Sequence, residues 1–106
     1  MAGEHIVRLA LKKRVESYAG EIRAVAWLGR RNAPDVLCLL PAVERTFVFR
    51  GRVLPPRKGK HPFIEAKAPD GEPTEAQARE HERMRAAGCD VVVVSTIAQL
   101  DAWLPP

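Results

Sequence analysis

Two carboxylates and one ammonium stand out in this chain because of the places they occupy. Asp35 follows Pro34 at the entrance to the apolar run Val36-Leu37-Cys38-Leu39-Leu40, and Glu65 and Lys67 interrupt a second short apolar run, Phe63-Ile64-Glu65-Ala66-Lys67. Side chains two apart on a strand share a face, so Glu65 and Lys67 project together, into what is expected to be a solvated cleft, while Ile64 and Ala66 turn to the packed side. A turn aspartate after proline is common, and so is a surface Glu–Lys pair worth well under about 1 kcal/mol. Charge inside an otherwise apolar strand nevertheless requires a reason. An aspartate at the end of a rigid strand can bind a cation without being buried unpaired. Two carboxylates with the backbone carbonyl of Ala66 make an all-oxygen set that suits Mg²⁺ or Mn²⁺. Such a set, with a lysine beside it, can hold a cation next to an anionic group.

The elements that must position these groups follow from periodicity. Apolar residues from about 3 to 18 predict a helix, with Gly20 as its stop, and alternation from Glu21 to Leu28 predicts a strand. A basic turn over residues 29–34 leads into the strand 35–40. Residues 45–50 form a further strand or an extension, and 51–61, rich in Pro, Gly and basic residues, reads as an exposed loop. The strand 62–67 ends at the turn signal Ala68-Pro69-Asp70-Gly71. Thr74 opens a helix carrying Ala76, Gln77, Glu80, Met84 and Ala87, and Gly88 closes it. Val91 to Val94 is a buried strand, and Ser95 or Thr96 caps a last helix through Leu100 and Trp103. The order is α-β-β-β-α-β-α. The strand–helix–strand unit implies a parallel pair with a right-handed crossover. The expected fold class is α/β, a mixed central sheet flanked by helices, in one domain spanning residues 1–106.

Bulk composition excludes more than it selects. The 106 residues carry 17 basic and 13 acidic side chains, a formal charge of +4; this suits a polyanionic partner without specifying one. No apolar run approaches the roughly 20 residues that span a bilayer. The first residues lack the pattern of a signal peptide, so an intracellular, cytoplasmic protein without a membrane partner is expected. Cys38 and Cys89 form no C-x-x-C pair and read as buried free thiols. His5, His61 and His81 lack metal-ligand spacing, which argues against zinc.

Taken in order, Pro34-Asp35, Glu65-Ala66-Lys67 and Gln77 resemble the PD-(D/E)XK nuclease superfamily, and most closely its VRR-NUC family in the free-standing, phage-type form. The resemblance covers nearly the whole chain, from the leading helix with Glu4 near its start, through the Gly29-Arg30-Arg31 approach, to the closing β-α unit. Two departures stand out. Asn32 occupies a position where the family usually carries Gly, and Asn tolerates a left-handed backbone. The segment between the Asp and Glu motifs is also longer than usual, because of the 51–61 loop.

The resemblance implies a restriction-endonuclease-like core and a DNA nuclease acting in the cytoplasm, for a phage-encoded protein that of the host. It makes Asp35 and Glu65 direct ligands of Mg²⁺ or Mn²⁺, with the Ala66 carbonyl as third. Glu4 would hold the metal through water or complete a second site. Lys67 would contact the phosphate and the attacking water, and Gln77 would position a water or a neighbouring ligand. Free-standing members resemble homodimers that cut branched DNA such as Holliday junctions. Arg30, Arg31, Arg57, Lys58 and Lys60 flank the motifs and are candidates for phosphate-backbone contacts on branched or duplex DNA. No aromatic residues interleave them, so base stacking is not indicated. Two alternatives stay open: a catalytically silent DNA-binding or assembly module with the same fold, and a non-specific nicking or exonuclease activity.

Overall fold

Val7, Leu11 and Val15, spaced by single helical turns, form the buried stripe of the first helix, α1 (Ala2–Ser17). The structure is a computed structural model that describes residues 2–69 and 71–106. Ala19, at φ +62°, supplies the left-handed residue that ends α1. Gly20 is required for a different reason: a Cβ there would lie 2.8 Å from the Leu39 carbonyl oxygen. The chain between α1 and β1 therefore passes the strand that carries Leu39 as closely as backbone allows.

The strands are β1 (Glu21–Ala24), β2 (Val36–Leu39), β3 (Phe47–Phe49), β4 (Arg52–Leu54), β5 (Phe63–Ala66) and β6 (Val91–Val94), with helices α2 (Glu75–Ala86) and α3 (Ile97–Trp103). Four strands form the main sheet in the order β1-β2-β5-β6. Neighbours β1/β2 and β2/β5 are antiparallel, and β5/β6 are parallel, joined through α2 as the strand–helix–strand pattern required. The sheet is thus mixed and flanked by helices, the expected class. Val36, Cys38 and Leu40 on β2 and its extension, Ile64 and Ala66 on β5, and Val94 on β6 pack with α1, Leu100 and Leu104 in one core. The opposite face of β5 meets α2, whose Met84 and His81 are buried.

Caps stand close to where the residue types put them. Thr74 and Gln77 form a reciprocal capping box at the start of α2. The Thr96 hydroxyl accepts from the Gln99 N–H at the start of α3, and Gly88, at φ +93°, turns the chain away from α2. The turn after β5 is closed by the Gly71 N–H on the Ala68 carbonyl, 2.8 Å away; Asp70 of that turn signal lies outside the described residues, as does Met1.

Three expectations need correction. The first strand ends at Ala24, four residues early: its ladder with β2 ends at Val36, and beyond it Trp27 packs at a tilt against Phe63, ring centroids 5.2 Å apart. The 51–61 segment is not simply a loop. Arg50 and Gly51, at φ +48° and +80°, make a tight two-residue turn, and residues 52–54 return as β4 against β3. Nor is Arg57 a free surface cation. Its Nε–H donates to the Pro41 carbonyl at 2.9 Å, one Nη–H donates to the Tyr18 carbonyl at 2.6 Å, and its guanidinium lies 5.9 Å from the centre of the Tyr18 ring. The cysteines differ: Cys38 is buried, which pushes its thiol up to about 11, whereas Cys89 is only half-buried. Among the described residues no helix is long and apolar enough to cross a membrane.

Arg57 thus fastens the β3–β4 arm to the end of α1. Charge-assisted hydrogen bonds contribute on the order of 1–3 kcal/mol each when well formed, so Arg57→Ala should lower unfolding stability by about 2 kcal/mol, whereas exposed Lys58→Ala should stay within about 0.5 kcal/mol. Urea denaturation checks this. Equal midpoints for the two variants would return Arg57 to the status of a solvated charge.

Candidate active site

The position of Asp35 relative to Glu65 follows from strand register. Val36 stands opposite Ile64 and Leu37 opposite Phe63, so one further step brings Asp35 opposite Glu65, and residues directly opposite on antiparallel strands share a face. Hydrogen-bonded pairs alternate along such a ladder. Leu40 and Lys60 exchange both bonds, and the Cys38 N–H donates to the Pro62 carbonyl. Continued by twos, this series makes Pro34 the partner of Ala66. Proline has no N–H, so β2 offers no ladder donor to the Ala66 carbonyl. In the dipeptide Pro34-Asp35, the proline therefore leaves a backbone oxygen available beside the two carboxylates that the register brings together.

Pro34 is itself held firmly. It is fully buried, and its carbonyl accepts the Trp27 indole N–H at 2.7 Å. Asn32 carries φ +67°, the left-handed conformation its residue type allows. The Val25 N–H donates to the Asp35 carbonyl at 2.9 Å, so the backbone of Asp35 is fixed while its side chain remains half exposed.

Glu65 differs from expectation in one important respect: it is 6 % exposed and does not face a solvated cleft. α2 covers it, with His81 Nε2 3.4 Å from Glu65 Oε1 and His81 itself 2 % exposed. Burial is the largest influence on the Glu65 carboxyl and pushes it up to about 7; Lys67 draws it down, while the charges of Asp35 and Glu4 push it further up. His81 moves the other way, lowered first by burial and then by the nearby cations Arg85 and Lys67. A neutral imidazole beside Glu65 can donate its Nε2–H to the carboxylate and orient it.

A second group missed in the sequence is Arg8. One Nη of its guanidinium donates to both Asp35 oxygens, at 2.9 and 3.0 Å, and lies 3.4 Å from Glu4 Oε1. The Glu4–Arg8 spacing of one helical turn was the available signal, but nothing local pointed across to Asp35. The structure thus gathers Asp35, Glu65, Lys67, Glu4 and Arg8 at one end of the sheet. Gln77 is placed at the head of α2, where its Oε1 accepts the Thr74 N–H at 2.9 Å and is committed to the cap. The α2 side chain that reaches Glu65 is His81, one turn further on.

The cationic candidates divide. Arg30 makes an ion pair with the largely buried Glu80, and its hydrogen bond is the first cause of a lowered Glu80 carboxyl. Arg31 is exposed beside it. Lys60 pairs with Leu40, five residues along β2 from Asp35 and so about 17 Å away at the rise of a strand; Arg57 and Lys58 lie at that far end as well. A hollow of about 390 Å³ there, lined by Gly20, Leu39, Gly59 and Lys60, is remote from the carboxylates.

Among the described residues no three His, Cys, Asp or Glu side chains converge as a ready cage for a metal ion. What the site offers is two carboxylates on neighbouring strands and one backbone carbonyl, the donor chemistry of a Mg²⁺-type ion that keeps several waters. Arg8 now occupies the Asp35 oxygens, as a cationic stand-in for part of that charge.

The raised Glu65 carboxyl sets a sign for stability. The folded protein keeps this proton between the ordinary 4.5 and about 7, where the unfolded chain has lost it. Its contribution is fully present below about 4.5 and is lost as pH rises through about 7, so the ionised form costs the metal-free protein on the order of 3 kcal/mol above neutrality. Glu65→Gln, which keeps the shape of the protonated acid, should stabilise the protein in chelator by about 2 kcal/mol near pH 8 and by little near pH 4.5. An equal effect at both pH values in urea melts would mean that Glu65 is not a buried, proton-holding acid.

No family model matches the sequence. The chain is 33% identical over 100 residues, 91% of its length and 89% of the relative's, to "Putative nuclease p44" of Acyrthosiphon pisum secondary endosymbiont phage 1. It also superposes on a solved structure described as "VRR_NUC domain" with a TM-score of 0.70 and 34% identity, covering 94% of this chain and 91% of the other. With Pro34-Asp35, Glu65-Ala66-Lys67 and the mixed four-stranded sheet arranged as above, the chain belongs to the VRR-NUC family of the PD-(D/E)XK nucleases.

Proposed function

We propose that this protein is a Mg²⁺- or Mn²⁺-dependent endodeoxyribonuclease, selective for branched DNA such as Holliday junctions, and that it acts as a homodimer. The observation that supports the reading is the β2/β5 register, Val36 opposite Ile64; continued outward, it sets Asp35 against Glu65 beside the Ala66 carbonyl, and Pro34 has no N–H to claim that oxygen. Asp35, Glu65 and the Ala66 carbonyl would hold the divalent ion, and Glu4 would reach it through water. The ion, when bound, supplies Lewis-acid stabilisation of charge on the phosphate and a more acidic water.

The chain's own groups have distinct tasks. Lys67 shares the face of Glu65 and is close enough to lower its carboxyl, so its ammonium is set to bear on the phosphate oxygens as negative charge develops during water attack. His81 holds Glu65 in orientation from the α2 side. Arg8 neutralises Glu4 and Asp35 before substrate arrives and is a second cation within reach of an incoming phosphate. Gln77 would contribute through its amide nitrogen, the end the cap leaves unused.

Homodimerisation follows from one site per chain against the two symmetric cuts that resolve a junction. A surface that a second copy could cover is the outer face of the β3–β4 hairpin, where Val48 stands opposite Val53 and the two are 66 % and 63 % exposed.

Cleavage of a four-way junction should require Mg²⁺ or Mn²⁺ and stop in excess chelator. Lys67→Ala and Glu65→Gln should each slow it by at least about a hundredfold while the protein stays folded by circular dichroism. Wild-type rates from both variants would reduce the two residues to an ion pair and sink the enzyme reading; binding without cleavage by the wild type would leave a silent module. Light scattering should give a dimer mass for the wild type and a monomer for Val48→Glu/Val53→Glu. A monomer mass for the wild type, both free and on junction DNA, would leave a nickase.

A further inference from the structure

Between the turn that precedes Pro34 and the exposed side of α2 runs a groove of about 270 Å³ whose side chains are dominated by arginine: Arg30 and Arg31 from the turn, Arg79 and Arg83 from the helix. Resting on the nuclease reading above, we propose that this groove is the track for the sugar–phosphate backbone of the substrate, and that Arg79 and Arg83 are DNA-contacting residues alongside Arg31. The 51–61 loop is then not the main electrostatic contact.

Four arginines share this groove with one lining carboxylate, Glu80, and that carboxylate is already used. It is 11 % exposed at its side chain and held by Arg30, with Arg83 Nε 3.8 Å away. The Arg30–Glu80 pair clasps the turn onto α2 and so fixes the width of the groove. The remaining guanidiniums are lightly held. Arg79 is 71 % exposed and lies 4.0 Å from Glu75, itself almost fully exposed, a pair that contributes little and yields readily to a stronger anion. Arg83 is 67 % exposed. Arg31 has no carboxylate partner among the described residues. Like charges brought together with so little compensation raise the energy of the surface, and a polyanion lowers it. Planar guanidinium forks match phosphate oxygens two at a time.

The lining also states what kind of contact is made. Beside the arginines stand Gly29, Asn32 and Ala76, with no aromatic ring to stack on a base, so the groove reads backbone rather than sequence. Its place fits the chemistry. Asn32 is three residues from Asp35, at most about 11 Å of extended chain. Phosphates advance about 3.4 Å along the axis of a strand, so the groove would hold those within a few nucleotides of the one at Asp35 and Glu65. Glu80, which Arg30 grips across the groove, directly precedes His81, whose Nε2 lies 3.4 Å from Glu65. Arg79 and Arg83, two residues to either side of His81, project from the outer face of α2. By contrast, Arg57 spends its donors on two backbone carbonyls, and Lys60 is at the far end of the sheet.

The test measures affinity of a labelled four-way junction in Ca²⁺, without turnover, over a series of salt concentrations. Arg79→Ala/Arg83→Ala should weaken binding by roughly tenfold or more and lower the log–log salt slope by about 1.8, near 0.9 for each phosphate that is no longer neutralised on the duplex arms. Arg79→Lys/Arg83→Lys should recover most of the slope, since charge is kept. A wild-type affinity and slope for the alanine pair, in a protein whose wild type still cuts the junction in Mg²⁺, would overturn the groove and leave the nuclease reading intact. A slope that falls only with Lys58→Ala/Lys60→Ala would also overturn it, returning the main electrostatic role to the loop. A wild type that neither binds nor cuts DNA would remove the nuclease reading, and the groove with it.

Discussion

Asp35 and Glu65 face one another only while β2 and β5 keep Val36 opposite Ile64. A slip of one residue would turn Asp35 to the α1 face and set a carboxylate into the core. The core prevents that slip. Val36, Cys38, Ile64 and Ala66 are all 5 % exposed or less beneath α1, and moving any of them to the α2 face would expose apolar surface and bury charge. Two hydrogen bonds between Leu40 and Lys60 lock the distal end of the ladder, and buried Pro34 terminates it at the site. Packing on one face thus sets the geometry of the chemistry on the other, and neither carboxylate needs to contribute to its own placement.

The same arrangement makes the site expensive for the fold. Glu65 is covered by α2 and lies near two other acidic groups, so its charge is favoured only by cations. Lys67 and Arg8 supply part of this from the protein. Lys67 acts from the end of β5 and Arg8 from α1, so two separate elements supply the compensating charge. A fold optimised for stability alone would carry an apolar residue at position 65, between Ile64 and Ala66 on a strand whose other residues are largely buried. Destabilising charge held at one point by a well-packed frame is the usual compromise at a working site.

How much of this was legible beforehand depended on how local each signal was. The helices, the strands β2, β5 and β6, Thr74 as the start of α2 and the tolerance of Asn32 for a left-handed backbone all follow from spacing or residue type within a few positions, and they were readable. The reciprocal capping box that commits Gln77 to Thr74 was not read. The face shared by Glu65 and Lys67 was also local. Burial of Glu65 was not, because it is caused by His81, sixteen residues on, arriving over the strand on α2. Arg8 and Asp35 are 27 residues apart and meet only in three dimensions. The β4 strand was hidden because Arg50-Gly51 is a less obvious two-residue turn than Asn-Gly, and because the prolines and basic residues just after it pulled the whole segment toward a loop reading. The arginine groove was half visible: Arg30 and Arg31 announced themselves beside Pro34-Asp35, while Arg79 and Arg83 looked like the ordinary solvated face of a helix.

The distribution of positive charge makes sense once helix direction is considered. β2 begins and β5 ends at the site, so α2, which follows β5, starts there. α1 starts there too, with Gly3 against Ala68 and Pro69. The amino termini of both helices, with their partial positive charge, therefore point toward the end of the sheet where carboxylates and phosphate would meet. Glu4, in the first turn of α1, answers the same field. The far end of the sheet receives the carboxyl terminus of α1, where unpaired carbonyls favour a cation. Arg57 sits there on the Tyr18 carbonyl, one residue past the last turn. The basic segment that looked in the sequence like a hand for DNA is thus at least partly occupied in capping a helix, and the cations free to meet a polyanion are those whose helix or turn leaves them no such task.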